Sequence, residues 1–93
     1  MVFELTANAE DGDGNVAAFD LRISDPEFEE SRGYYCKILC PYIRQRSFRI
    51  FGVDEEQAAT ESIRFVRRTL SDMNVRLMND DGVEVTLPGR APA

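Results

Sequence analysis

Three groups of side chains have the types and spacing to do chemistry: Cys36 and Cys40, the run Asp11-x-Asp13-x-Asn15, and Arg44, Arg46 and Arg49 interleaved with Tyr42, Phe48 and Phe51. Each meets an obstacle within the sequence. Histidine is absent, which removes the usual general base, the commonest metal ligand and every histidine-dependent triad. On a helix the two thiols could share a metal, but the alternation around Tyr34 and Ile38 favours a strand. There they share a face roughly 13 Å apart, at about 3.3 Å per residue, beyond the ~7 Å that a disulfide spans. Two thiols without histidine also make a poor zinc site, so they are expected as buried, reduced core residues. The Asp11 run has the first three ligand spacings of a calcium loop. Val16 and Arg22 then stand where that loop needs Gly and Glu, and a plain turn is the better reading.

The arginine–aromatic run has the make-up of a single-strand nucleic-acid platform. Phe48 is expected to point inward, however, and the net charge of −6 opposes a polyanionic partner. Nucleic acid is therefore not the expected ligand. No catalytic, cofactor-binding or metal-ligating residue is nominated, and no cofactor is expected.

The elements that must position any site follow from length and pattern. Ninety-three residues suffice for one core and not for two. The 43% hydrophobic and 30% charged content is that of a folded domain. No apolar run approaches the roughly 20 residues of a membrane span. The first residues lack the basic and apolar regions of a signal peptide, which leads to an expected cytoplasmic location. Charge is uneven: residues 1–31 carry nine acids and one base, and residues 32–70 carry eight bases and four acids.

Alternating apolar residues predict strands at Phe3, Leu5 and Ala7, then at Ala17, Phe19, Leu21 and Ile23, with a hairpin turn at 11–15 between them. Asp25-Pro26 stops the second strand, and 27–33 reads as an exposed acidic loop. A third strand is predicted over 34–39 and a fourth over 46–51, with Phe48 and Ile50 inward. Asp54 and Gln57 form a capping box that starts a helix running to Leu70, with Val53 placed to staple onto Ala58. Ala59, Ile63, Val66 and Leu70 make its apolar stripe, widened by Phe65 and Ala58, and Arg64, Arg67 and Arg68 favour its negative end. A hairpin through Asn79-Asp80-Asp81-Gly82 closes the chain. The expected architecture is α+β, an antiparallel sheet in the order β-β-β-β-α-β-β packed against a single helix. It forms one domain over residues 1–87 with a flexible tail at 88–93. The core is expected from Phe3, Leu5, Phe19, Leu21, Ile38, Phe48, Ile50, Ile63, Val66 and Leu70.

One helix cannot cover both faces of such a sheet. The predicted register turns Arg22, Tyr35, Lys37, Leu39, Arg49 and Phe51 away from the helix, as a mixed aromatic and basic patch. A one-residue slip would exchange this set for the core. The patch is expected to bind a partner, form a dimer, or lie beneath the terminal hairpin.

The stretches Tyr35-Cys36-Lys37-Ile38, Arg49-Ile50-Phe51-Gly52-Val53-Asp54-Glu55-Glu56-Gln57-Ala58 and Ile63-Arg64-Phe65-Val66-Arg67 with Leu70 resemble a family of small uncharacterised bacterial proteins, with a "GVDxxQA" strand-to-helix motif. The resemblance implies a bacterial source and this order of elements. It brings no activity and no site residues. The expected function is a non-enzymatic protein-interaction module, a homodimer or an accessory or immunity-type protein whose acidity suits a basic partner. The alternative is a small-ligand binder or minor enzyme with a cleft between helix and terminal hairpin.

Overall fold

A computed structural model describes residues 2–87; the tail expected at 88–93 lies outside the described residues. The chain runs β1 (Phe3–Glu10), β2 (Val16–Ile23), β3 (Glu27–Glu29), β4 (Gly33–Cys40), β5 (Arg44–Gly52), α1 (Glu55–Asp72), β6 (Arg76–Met78) and β7 (Glu84–Val85). All strand pairs are antiparallel, so the α+β class is as expected. The strand count is not. The segment expected as an acidic loop contains β3, which pairs Glu27 with Tyr35 and Glu29 with Gly33.

In the single sheet, β4 has β5 along one edge and the end of β2, followed by β3, along the other. Beyond β2 come β1, β6 and β7. Between β2 and β3 the ladder is carried by Ser24. Its N–H donates to the Lys37 carbonyl at 2.9 Å, and its hydroxyl accepts from the Lys37 N–H at 2.8 Å. A side chain thus replaces a backbone partner where Pro26 redirects the chain.

The helix packs on β4 and β5. Its buried residues are Ala58, Ser62, Val66 and Leu70; Ala58, Val66 and Leu70 belong to the expected face, while Ser62 is buried in addition and Ala59 and Ile63 are half-buried. Ser62 enters the core because its hydroxyl donates to the Ala58 carbonyl at 2.8 Å, leaving no orphan polar atom. Beneath the helix, Phe19, Leu21, Ile23, Cys36, Ile38 and Cys40 are fully buried. Each large side chain among these contributes about 2 kcal/mol relative to exposure. Phe3, Leu5, Phe48, Ile50 and Ile63 flank them, half-buried, and Phe48 meets Phe65 edge-on at 5.3 Å.

Both helix ends are closed by specific bonds. Asp54 Oδ1 accepts from the Gln57 N–H at 2.7 Å, and Gln57 Oε1 accepts from the Val53 N–H at 2.6 Å. Val53 itself is 79% exposed, so the expected staple onto Ala58 is not made. At the other end Asn74 takes φ 58°, while its N–H donates to the Ser71 carbonyl and the Val75 N–H to that of Leu70. This left-handed cap satisfies the last carbonyls. The last turn holds no basic residue, so Arg67 and Arg68 stop short of the position expected for them.

Gly52 sets how closely β5 runs into the helix: a Cβ there would sit 2.5 Å from the Ala58 backbone nitrogen. Gly33, at φ +97°, stands against the Gly52 carbonyl, 2.9 Å from where its own Cβ would be. Replacing Gly52 with Ala should therefore cost about 1–3 kcal/mol through overpacking against backbone. A thermal melt should show the midpoint fall by roughly 5–15 °C; an unchanged midpoint would contradict the close approach.

Candidate interaction surface

The strand register decides which side chains meet on the face opposite the helix. Arg22 stands across from Leu39, Tyr35 across from Phe51, and Lys37 across from Arg49. All six residues singled out from the sequence thus share the outer face. Residues beside them in the chain, Cys36, Ile38 and Ile50, face the helix side. The terminal β6–β7 hairpin extends the sheet beside β1 instead of folding across this face.

The outer face is ordered around a stack. The Tyr35 and Phe51 rings lie 5.4 Å apart, with the Arg49 guanidinium 5.0 Å from the Tyr35 centroid and that of Arg32 4.9 Å from Phe51. Cations over ring faces are attracted by the ring quadrupole. One carboxylate ties the two ends together: Glu29 accepts from Arg32 Nε at 3.0 Å and from Arg49 Nη1 at 3.1 Å. Glu27 accepts from the Tyr35 hydroxyl at 3.2 Å. Both acids come from β3, so the patch is cation–aromatic with its own internal counter-charge.

Hydrogen bonding from Arg32, reinforced by the charges of Arg32 and Arg49, holds the Glu29 carboxyl below its ordinary range against the opposing effect of burial. Burial, and then the Glu27 charge, push the Tyr35 hydroxyl up, so it remains a donor. Further along the face, Arg22 lies 3.6 Å from Glu4 and 3.9 Å from Asp20. These are exposed pairs of small energetic weight, about 0–1 kcal/mol. Leu39 is 40% exposed, and Lys37 makes no ion pair with any described residue.

Glu29, Glu27 and Arg32 belong to this surface and were missed by sequence reasoning. The available signal was the Glu-Phe-Glu alternation after Pro26, with Gly33 placed to turn the chain back along it.

The other candidate groups are taken up by structure. Cys36 and Cys40 are fully buried, and burial raises both thiols above their ordinary range. Such thiols make weak nucleophiles. Asp11 Oδ1 accepts from the N–H groups of Asp13 and Asn15 at 2.9 and 3.0 Å, closing the β1–β2 turn. These and related bonds lower its carboxyl despite partial desolvation. The aromatics of the arginine-rich run part company: Tyr42 meets Phe19 at 5.8 Å, Phe48 meets Phe65, and Phe51 joins the outer face. They do not form one stacking platform. Between the helix end and the terminal hairpin lies a groove of about 330 Å³, lined in part by Leu70, Leu77, Val85, Leu87, Arg76 and Glu84. Among the described residues no helix is long and apolar enough to cross a membrane.

The chain matches no protein-family model, and neither curated proteins nor solved structures give a significant match to it.

Because the Glu29 carboxyl is lowered in the folded state, its hold on Arg32 and Arg49 is complete above the ordinary glutamate range. It is lost as pH falls through the depressed folded value. An NMR titration should find the Glu29 midpoint below the ordinary glutamate value, and Arg32→Gln should return it toward that value. A midpoint indifferent to Arg32→Gln would contradict the clamp.

Proposed function

We propose that this protein is a non-enzymatic interaction module of the bacterial cytoplasm, of accessory or immunity type, that docks a protein partner on the open face of its sheet. The observation that carries this reading is the Tyr35–Phe51 pair with Arg49 and Arg32 stacked upon it. Tyrosine and arginine are enriched among the few residues that dominate binding energy at protein interfaces. Here they are held in place before any partner arrives, which lowers the ordering cost of association. Lys37, which pairs with no acid among the described residues, and Leu39 supply a charge and an exposed apolar side chain beside the stack.

A small-ligand reading has in its favour the groove between the end of α1 and the β6–β7 hairpin, the place expected for such a cleft. Its volume is at the lower end of ligand pockets, about 300–1,000 Å³. The aromatic stack is the stronger support, because it joins two rings and two guanidinium groups on one exposed face.

Affinity capture from source-cell lysate with immobilised wild type, Arg49→Glu/Phe51→Ser and Lys37→Glu tests the proposal, with circular dichroism confirming that each is folded. Lys37→Glu breaks no ion pair with any described residue. Both variants should lose the partner that wild type retains, with affinity reduced roughly ten-fold or more. A partner held equally by all three proteins would refute docking on this face.

A further inference from the structure

The longest edge of the sheet is β5. It pairs with β4 on one side, and among the described residues no strand pairs with its other side. Backbone direction along that free edge follows from β4. Both the N–H and the C=O of Lys37 engage Ser24 on the far side of β4. Arg49, which stands across from Lys37, must therefore turn its own N–H and C=O to the free edge. Phe51, two residues on, has the same orientation.

Positive charge surrounds this edge. Arg44, Arg46 and Arg49 lie on the strand, and the helix places Arg64 and Arg68, with Glu61 beside them, on the rim of a small groove over Ile50 and Phe65. Arg64 and Arg49 already have acidic partners, Glu61 and Glu29. Arg46 and Arg68 make no ion pair with any described residue. Arginines on an edge strand also guard it against accidental pairing, and here they select among partners. A second copy adding β5 to β5 would set arginines against arginines, which is destabilising. An acidic segment would meet the opposite sign.

We propose that the free edge of β5 accepts an extended acidic segment of a partner protein as an added strand. Main-chain bonds to Arg49 and Phe51 would supply affinity. Alternation would lay one set of partner side chains over the Ile50–Phe65 groove, beneath Arg64 and Arg68, and the other beside Arg49. This edge site is distinct from docking on the open face, and neither requires the other.

The probe is a fluorescent peptide of alternating glutamate and valine, about seven residues long, titrated into the full chain by anisotropy. Saturable binding is expected, weakening as salt rises, with hydrogen exchange at the Arg49 and Phe51 amides slowed roughly ten-fold. Arg46→Glu/Arg68→Glu should weaken binding roughly ten-fold with no loss of melting temperature, and Lys37→Glu should leave it unchanged. Absence of saturable binding, or binding that leaves the Arg49 amide unprotected, overturns the proposal. Lys37→Glu weakening the peptide as much as the double substitution would place it on the open face and overturn the edge site. Self-association abolished by Arg46→Glu/Arg68→Glu and insensitive to the peptide would assign the edge to a second copy, which also overturns it.

Discussion

The close passage of Gly52 against the backbone of Ala58 fixes where the helix can lie, and the rest of the molecule depends on it. A strand that ends without a side chain can run directly beneath the first turn of the helix that follows. Asp54 and Gln57 then close that turn from opposite directions. The small residues Ala58, Ser62 and Cys36 continue the same approach along the helix, all fully buried. In the pattern Gly-Val-Asp-x-x-Gln-Ala, the Gly, Asp, Gln and Ala are therefore explained by steric and hydrogen-bonding needs. It makes the junction between strand and helix.

With the helix seated on β4 and β5, the opposite face of those strands is left with Tyr35, Phe51 and their cations. Exposed aromatics and arginines could have been loosely placed. They are instead tied by Glu29, whose two oxygens hold Arg32 and Arg49 on either side of the ring pair. The local structure of β3 thus reaches across the sheet: three residues of strand deliver the carboxylates that organise the outer face. Desolvating this surface against a partner would strengthen those bonds, since they would act in a lower dielectric.

Most of this arrangement was legible in the sequence, because period-two alternation assigns faces as soon as a strand is recognised. Phe19 and Leu21 inward with Arg22 outward, and Ile38 inward with Lys37 outward, follow from that rule. The Asp54–Gln57 cap was equally plain. The strand β3 was not, because three residues rich in acid have little intrinsic β preference and gain their partners from Tyr35, across a turn, and from Arg49, two strands on. Ser62 was hidden for a related reason: a polar side chain counts against burial until its local bond to the Ala58 carbonyl is known. Val53 misled in the opposite sense, since an apolar residue at a staple position need not pack. The open edge of β5 could not be read at all without knowing which strand follows which in the sheet.

The division of the aromatic residues between the two faces is the claim on which both the core and the interaction surface rest. A nuclear Overhauser spectrum of the ring protons tests it directly. Cross-peaks should link Phe48 with Phe65, and Tyr35 with Phe51, with none between Phe51 and Phe65. Cross-peaks joining Phe51 to Phe65 would show β5 slipped by one residue and would contradict the account.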